Sequence, residues 1–267
     1  MKKVFIFTVL IAAMIATPVA FAETVDELLI VGTGSSASLL EAVARTFGAQ
    51  YQGIVVKIPP SIGSGGGIKA VGEDEYLVAR VARNIQKKEE RYGLFQMPIA
   101  KIPIVFFVNT SATIKELTPE QACGIFSGSI KKWEEIGTGK GKIRVIKRED
   151  GDSSLMVLHN QFPGFKEITL TPNSKTTYTD QETVVSCKDQ PNSISFGSFP
   201  DVMNENRLRA LVIGGMHPTN PSYPYVGVLS LVYKEKNNKG ALSKFIQFLS
   251  TDAAKKAIIE SGGFPVE

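Results

Sequence analysis

Short apolar runs alternate with segments of helical periodicity along this chain, and that alternation limits the fold more than any other feature. Residues 28–31 read as a strand, after which Leu39, Leu40, Val43, Ala44 and Phe47 recur at helix spacing. Residues 54–58 read as a second strand, a helix begins near Gly66, and strands near 77–81 and 95–99 flank a charged segment at 86–91. Such alternation places helices on the faces of a sheet, so the fold class is α/β.

A continuous apolar run at 103–108 ends this series, and the pattern then restarts as though in a second lobe. Thr118-Pro119-Glu120-Gln121 has the N-cap, first-turn proline and early acids of a helix start. Residues 143–146 read as a strand, 153–162 and 181–187 as helices, 193–196 and 208–213 as strands, and 225–233 as a long strand running back. Leu242, Phe245, Ile246 and Leu249 then stand at i, i+3, i+4 and i+7 of an amphipathic helix that Gly262-Gly263 ends. No repeat or low-complexity tract interrupts this order. The expected organisation is a lobe from 23–103, a second lobe from 104–224, and a return at 225–267, joined by strands near 103–109 and 225–233.

Met-Lys-Lys, an apolar run at 4–19 and Ala20-Phe21-Ala22 read as a secretory signal peptide, so residues 1–22 are set apart from the fold. The mature chain is expected outside the cytoplasm, in a periplasm or at a cell surface. Loss of Lys2 and Lys3 lowers the formal charge from +4 to +2, too near balance for a nucleic-acid binder. Cys123 and Cys187 are open to one disulfide in an oxidising compartment or to two separate buried thiols. With only His159 and His217 besides these, no metal or other cofactor is assigned.

Glycine and serine are concentrated where strands hand over to helices. Ser61-Ile62-Gly63-Ser64-Gly65-Gly66-Gly67-Ile68-Lys69 joins the second strand to a helix. Glycine lets the backbone approach a ligand, and a helix starting there leaves its first N–H groups unpaired, so this turn is suited to an anion. It is not a Walker A loop, because neither Ser nor Thr follows Lys69. Gly32-Thr33-Gly34-Ser35-Ser36-Ala37 fits the dinucleotide fingerprint, but Lys57, Ile58, Pro59 and Pro60 stand where a ribose-binding acid is required. Arg148, Gly151, Ser153 and Ser154 open a third helix, where a guanidinium fork suited to tetrahedral oxyanions meets several donors. A Ser153 or Ser154 nucleophile with His159 as base is disfavoured by its helical spacing and by the lack of a G-x-S-x-G elbow. Trp133 reads as the end of an amphipathic helix rather than a ligand platform.

The three turns and two further segments together carry a resemblance. Gly32 to Ser36, Ser61-Ile62-Gly63-Ser64-Gly65-Gly66-Gly67, Tyr92-Gly93-Leu94-Phe95-Gln96-Met97-Pro98, Ile125-Phe126-Ser127-Gly128 with Ile130-Lys131-Lys132-Trp133, and Arg148 with Asp150-Gly151-Asp152-Ser153-Ser154 resemble the phosphate-binding protein family of ABC phosphate importers. The resemblance implies a two-lobed type II periplasmic binding protein fold with two hinge-crossing strands, a monomer that captures inorganic phosphate between its lobes and delivers it to membrane permease subunits. It assigns the anion to Ser35 and Ser36 of the first turn, Ser64 and Gly65 of the second, Arg148 oriented by Asp150, and the helix start at Asp152, Ser153 and Ser154. The family's best-known receptors have an aspartate near the position of Ala82, where it accepts a hydrogen bond from protonated phosphate. Here the stretch is Val78-Ala79-Arg80-Val81-Ala82-Arg83, so Arg80 or Arg83 is a candidate anion contact and Asp152 the candidate replacement acceptor. Without any acceptor a buried phosphate proton would go unpaired at a cost of about 1–3 kcal/mol, while sulfate would lose nothing. The alternatives are a receptor for another oxyanion such as sulfate, an exported phosphate-ester hydrolase, and a sensory receptor.

Overall fold

The computed structural model describes residues 25–266, and the signal peptide read at 1–22 lies outside them. The first series builds β1 (Asp26–Gly32), α1 (Ala37–Gln50), β2 (Ile54–Lys57), α2 (Gly63–Gly72) and β3 (Val78–Val81). β1 pairs in parallel with β2 and β3, so each helix is a crossover between parallel strands. The runs at 95–99 and 103–108 fuse into one 15-residue strand, β4 (Phe95–Asn109). Beyond it lie β5 (Glu116–Leu117), α3 (Pro119–Ser127), β6 (Arg144–Arg148), α4 (Ser153–Gln161), β7 (Ser174–Thr177), α5 (Asp180–Asp189), β8 (Ser193–Ser198) and α6 (Phe199–Val202). β9 (Leu208–Ala210), β10 (Val212–Ile213), β11 (Val226–Tyr233), α7 (Gly240–Leu249), α8 (Asp252–Glu260) and β12 (Phe264–Pro265) complete the chain.

The main sheet runs β2-β1-β3-β11-β4-β8-β6-β7, with β9 and β12 also on β4. β6 pairs in parallel with β7 and β8, and β8 runs antiparallel to β4. The wiring of β2-β1-β3-β11 is thus repeated in β7-β6-β8-β4, although no sequence repeat accompanies it. Within β4, Pro103 is paired with Val226 of β11, whereas Ile104 is paired with Ser198 of β8. The change of partner falls at a residue with no amide hydrogen to give to a ladder. The chain leaves the first group of strands there and re-enters it at the start of β11.

Local chemistry accounts for most element ends. The Thr118 hydroxyl accepts from Gln121 N at 3.2 Å and the Gln121 side chain accepts from Thr118 N at 2.9 Å, a reciprocal cap that starts α3 behind Pro119. The single C-terminal helix read from the sequence is two: α7 stops at Leu249, Thr251 caps α8, and Gly262, with φ of 82°, ends α8. Residues 208–213 likewise divide, because β9 joins β4 whereas β10 joins β5. β7 was not legible: Ser174-Lys175-Thr176-Thr177 carries no apolar residue.

Aromatic packing anchors both halves. Phe47 meets Tyr51, Phe245 and Phe248 in the first, and Phe106 meets Phe126, Phe162, Phe165 and Phe196 in the second. Trp133 is fully buried, which excludes an exposed platform. Cys123 and Cys187 are free: Cys187 is buried beside the Ser193 hydroxyl, and the half-buried Cys123 thiol donates to Pro163 O. The turns after β1, β2 and β3, and those after β6, β7 and β8, leave the carboxyl ends of parallel strands, where open α/β sheets gather their binding residues.

Candidate anion-binding site

Arg148, at the end of β6, is 3% exposed and ringed by carboxylates. Its Nη2 lies 3.0 Å from Asp152, its Nη1 3.0 Å from Asp180 and its Nε 3.6 Å from Glu149. Burial opposes the guanidinium charge, but Asp180, Asp152 and Glu149 outweigh it and hold its pKa above the ordinary value. Asp150, expected to orient Arg148, is exposed and makes no ion pair with it. That correction follows from where the strand stops: β6 ends at Arg148, residues 150–151 form a turn, and the turn brings Asp152, at the start of α4, back onto the guanidinium.

Asp152 is the N-cap of α4. One oxygen accepts from Leu155 N at 2.8 Å while the other faces Arg148. Burial first, and the charge of Asp180 second, push its carboxyl up to about 7 against the pull of Arg148. Ser153 and Ser154 follow in the first turn, both buried.

The first-half turns close on this group. Ile62 N donates to Gly32 O at 2.9 Å, which ties the second glycine turn to the first. A Cβ on Gly32 would stand 2.1 Å from Arg80 O, so only glycine fits there. A Cβ on Gly34 would stand 2.7 Å from Asp180 Oδ2 and from Gln181 Oε1, so α5 of the second half abuts the first turn. Ser36 is held left-handed at φ 60° with its hydroxyl buried. The amides of Ser36 and Ser38 at the start of α1 are taken by Asp201 of the other half. Asp201 accepts from Ser36 N at 2.7 Å, Ser38 N at 3.3 Å and the Ser38 hydroxyl at 2.8 Å, and also from the Ser198 hydroxyl. Burial and Asp180 raise its pKa to about 6 in spite of these bonds.

Ser64 is buried at the start of α2, and its hydroxyl accepts from Ala82 N at 3.1 Å, leaving its own proton to donate. Gly65 lies beside Arg83. The two arginines at the end of the strand, Arg80 within β3 and Arg83 just after it, are engaged elsewhere. Arg80 donates to Thr33 O at 2.6 Å, Pro59 O at 2.8 Å and Ile30 O, stapling the first two turns to β1, and burial lowers its pKa to about 10. Arg83 is a bidentate partner of Glu89, at 2.7 and 2.8 Å. Both have carbonyl or carboxylate partners inside the first half, where they hold its turns together. Ser35 donates its amide to the Thr33 hydroxyl at 3.3 Å.

The unpaired atoms converge. Among the described residues, the buried side-chain atoms without a hydrogen-bond partner are Trp133 Nε1 and six others: Ser36 Oγ, Arg148 Nε and Nη1, Glu149 Oε2, Ser154 Oγ and Asp180 Oδ1. Those six belong to or adjoin the cluster at Arg148, whereas buried polar groups are ordinarily paired. A cavity of about 10 Å³ lined by Arg148, Asp180, Ser198 and Asp201 lies behind it, while wider grooves of about 370 and 390 Å³ lie elsewhere, along β6 with α5 and along α1 with β2. Asp180 and Asp201 were missed in the sequence. Asp180 has a signal, since Thr179-Asp180-Gln181-Glu182 is a third-residue cap that starts α5; Asp201 has none for its role at α1, because the Ser36 and Ser38 amides it accepts from are over 160 residues away.

A family model for the PBP superfamily domain matches residues 17–253. The phosphate-binding protein PstS of Bacillus subtilis is 23% identical over 245 residues, covering 89% of this chain and 79% of its own. Among solved structures, a protein described as a phosphate ABC transporter substrate-binding protein with bound phosphate, from Clostridium perfringens, is 25% identical with a TM-score of 0.79, covering 91% of this chain and all of its own. An ABC-type phosphate transport receptor from Vibrio cholerae shares the fold at a TM-score of 0.63 and 21% identity, over 90% of this chain and all of its own. The repeated wiring, the two sets of turns meeting at one buried arginine, and a family match over most of the length agree: this chain belongs to the PBP superfamily.

Proposed function

We propose that this protein is an extracytoplasmic solute receptor that captures inorganic phosphate between its two lobes and delivers it to an ABC permease, performing no chemistry on the ligand. The observation that carries the reading is the convergence of unpaired buried donors on Arg148, from Ser36 in one half and Ser154 in the other. Each such group costs stability unless a ligand pairs it, so the arrangement is complementary to an oxyanion. Ser64, with a proton to give, and the amides at the start of α4 extend the cradle. The His159 ring packs 6.1 Å from Phe165, which favours a packing role over that of a base for Ser153 or Ser154. Relatives described as phosphate-binding proteins and the signal peptide read at 1–22 agree with export and transport.

Ligand binding would shift the population toward a closed form, and the closed surface is what a permease would recognise. Calorimetry and thermal melting of residues 23–267 test the reading. Phosphate at a hundredfold excess over Kd should stabilise the fold by about 2.7 kcal/mol, and a chromogenic phosphate ester should not turn over. Phosphate that neither binds nor raises Tm, or ester turnover by this protein, would overturn it.

A further inference from the structure

The unpaired atoms at Arg148 are not all of one kind, and this sets a condition on the ligand. Arg148 Nε and Nη1 can only donate, the Ser36 and Ser154 hydroxyls can donate or accept, but Asp180 Oδ1 can only accept when ionised. Asp180 is enclosed, with 6% of its side chain exposed, and although Oδ1 lies 3.0 Å from Arg148 Nη1 the two are out of line for a hydrogen bond. Its other oxygen stands against the Gly34 turn of the opposite half.

The neighbouring carboxylates are already engaged. Asp152 caps α4 with one oxygen and faces Arg148 with the other. Both Asp201 oxygens accept from Ser36, Ser38 and Ser198. Glu149 also keeps an unpaired buried oxygen, which lies 3.6 Å from Arg148 Nε, but the rest of its side chain is 32% exposed. Ala82 offers no acceptor at all, and its amide is bound to Ser64. Asp180 combines a side chain only 6% exposed with a fully buried oxygen that has no hydrogen-bond partner.

We infer that Asp180 is the specificity-determining residue of this site: it accepts a hydrogen bond from the ligand, so the site takes an oxyanion that carries a proton and rejects one that does not. Hydrogen phosphate and hydrogen arsenate carry that proton at neutral pH, and sulfate does not. Sulfate would place a bare oxygen against the Asp180 carboxylate, adding like-charge repulsion to an unpaired acceptor. Asp152, the replacement acceptor that the sequence offered, is instead a positioning residue that holds Arg148 and the first turn of α4.

This inference rests on the oxyanion-receptor reading above. Calorimetry of the mature protein and of Asp180→Asn and Asp180→Ala against phosphate, arsenate and sulfate separates the two. Wild type should bind phosphate and arsenate and discriminate against sulfate. In Asp180→Asn, phosphate and arsenate should weaken together by roughly ten- to a hundredfold, while sulfate tightens and the discrimination collapses. Sulfate binding by the variant doubles as proof that its cleft is folded. Retained discrimination in a variant that binds phosphate would overturn the assignment to Asp180 and leave the receptor reading standing. Wild type binding sulfate as tightly as phosphate would overturn it without any variant, and wild type binding no oxyanion would remove both.

Discussion

Asp152 shows how one residue can serve a fold and a ligand at once, and what that costs. Its carboxyl caps α4 and faces Arg148, yet burial and Asp180 push its pKa up to about 7. In the unfolded chain an aspartate titrates at about 3.9. Between these values the folded protein holds a proton that the unfolded protein has released, so this residue's contribution to stability declines as pH rises from about 4 to about 7 and is level above that. Asp201, raised to about 6, adds a decline of the same sign over a narrower range. Asp152→Asn keeps a good cap and removes one titration. The Tm of wild type should therefore fall relative to that of the variant between pH 5 and pH 8. Melting curves whose difference does not change with pH would refute the assignment.

At the scale of elements, helix starts decide both boundaries and donors. α3 is begun by Thr118, whose hydroxyl and the Gln121 side chain pair each other's amides. Thr118→Ala should cost about 1 kcal/mol, which in a chain of this size lowers Tm by roughly 2–4 °C. Differential scanning calorimetry with and without phosphate checks this, and an unchanged affinity should accompany the lower Tm. α1 is begun differently: Ser36 makes no side-chain cap, and the helix borrows Asp201 from the opposite half. The terminal α7 and α8 show the same chemistry, since Thr251 divides what hydrophobic spacing reads as one element.

Across the whole molecule, the borrowed cap becomes a latch. Asp201 holds Ser36 and Ser38 of one half, and Gln181 Nε2 donates to Gly34 O at 3.4 Å across the same seam. The connections at 103/104 and 225/226 are otherwise the places where the chain passes between the two groups of strands. Asp201→Ala should therefore raise the population of open forms and weaken phosphate binding in proportion to the closed fraction lost. Small-angle scattering should show a larger radius of gyration for the ligand-free variant than for ligand-free wild type, with the two converging at saturating phosphate. Equal radii without ligand would rule out the latch.

The sequence alone determined the α/β class, most strands and helices, and the turns at Ser36, Ser64 and Ser153, because alternation, caps and glycine act over a few residues. It also placed Arg148 at a strand end next to a helix start. What it left open were β7, whose polar run gives no hydrophobic signal, and the division of the last helix. Only the tertiary structure decided how the charges are spent. Arg80 staples carbonyls of the first turns, Arg83 pairs with Glu89, Asp201 caps a helix in the other half, and Asp180 comes to rest between Arg148 and Gly34. A charge's role depends on what surrounds it after burial, and residues that meet from over 100 positions apart leave no local pattern to read.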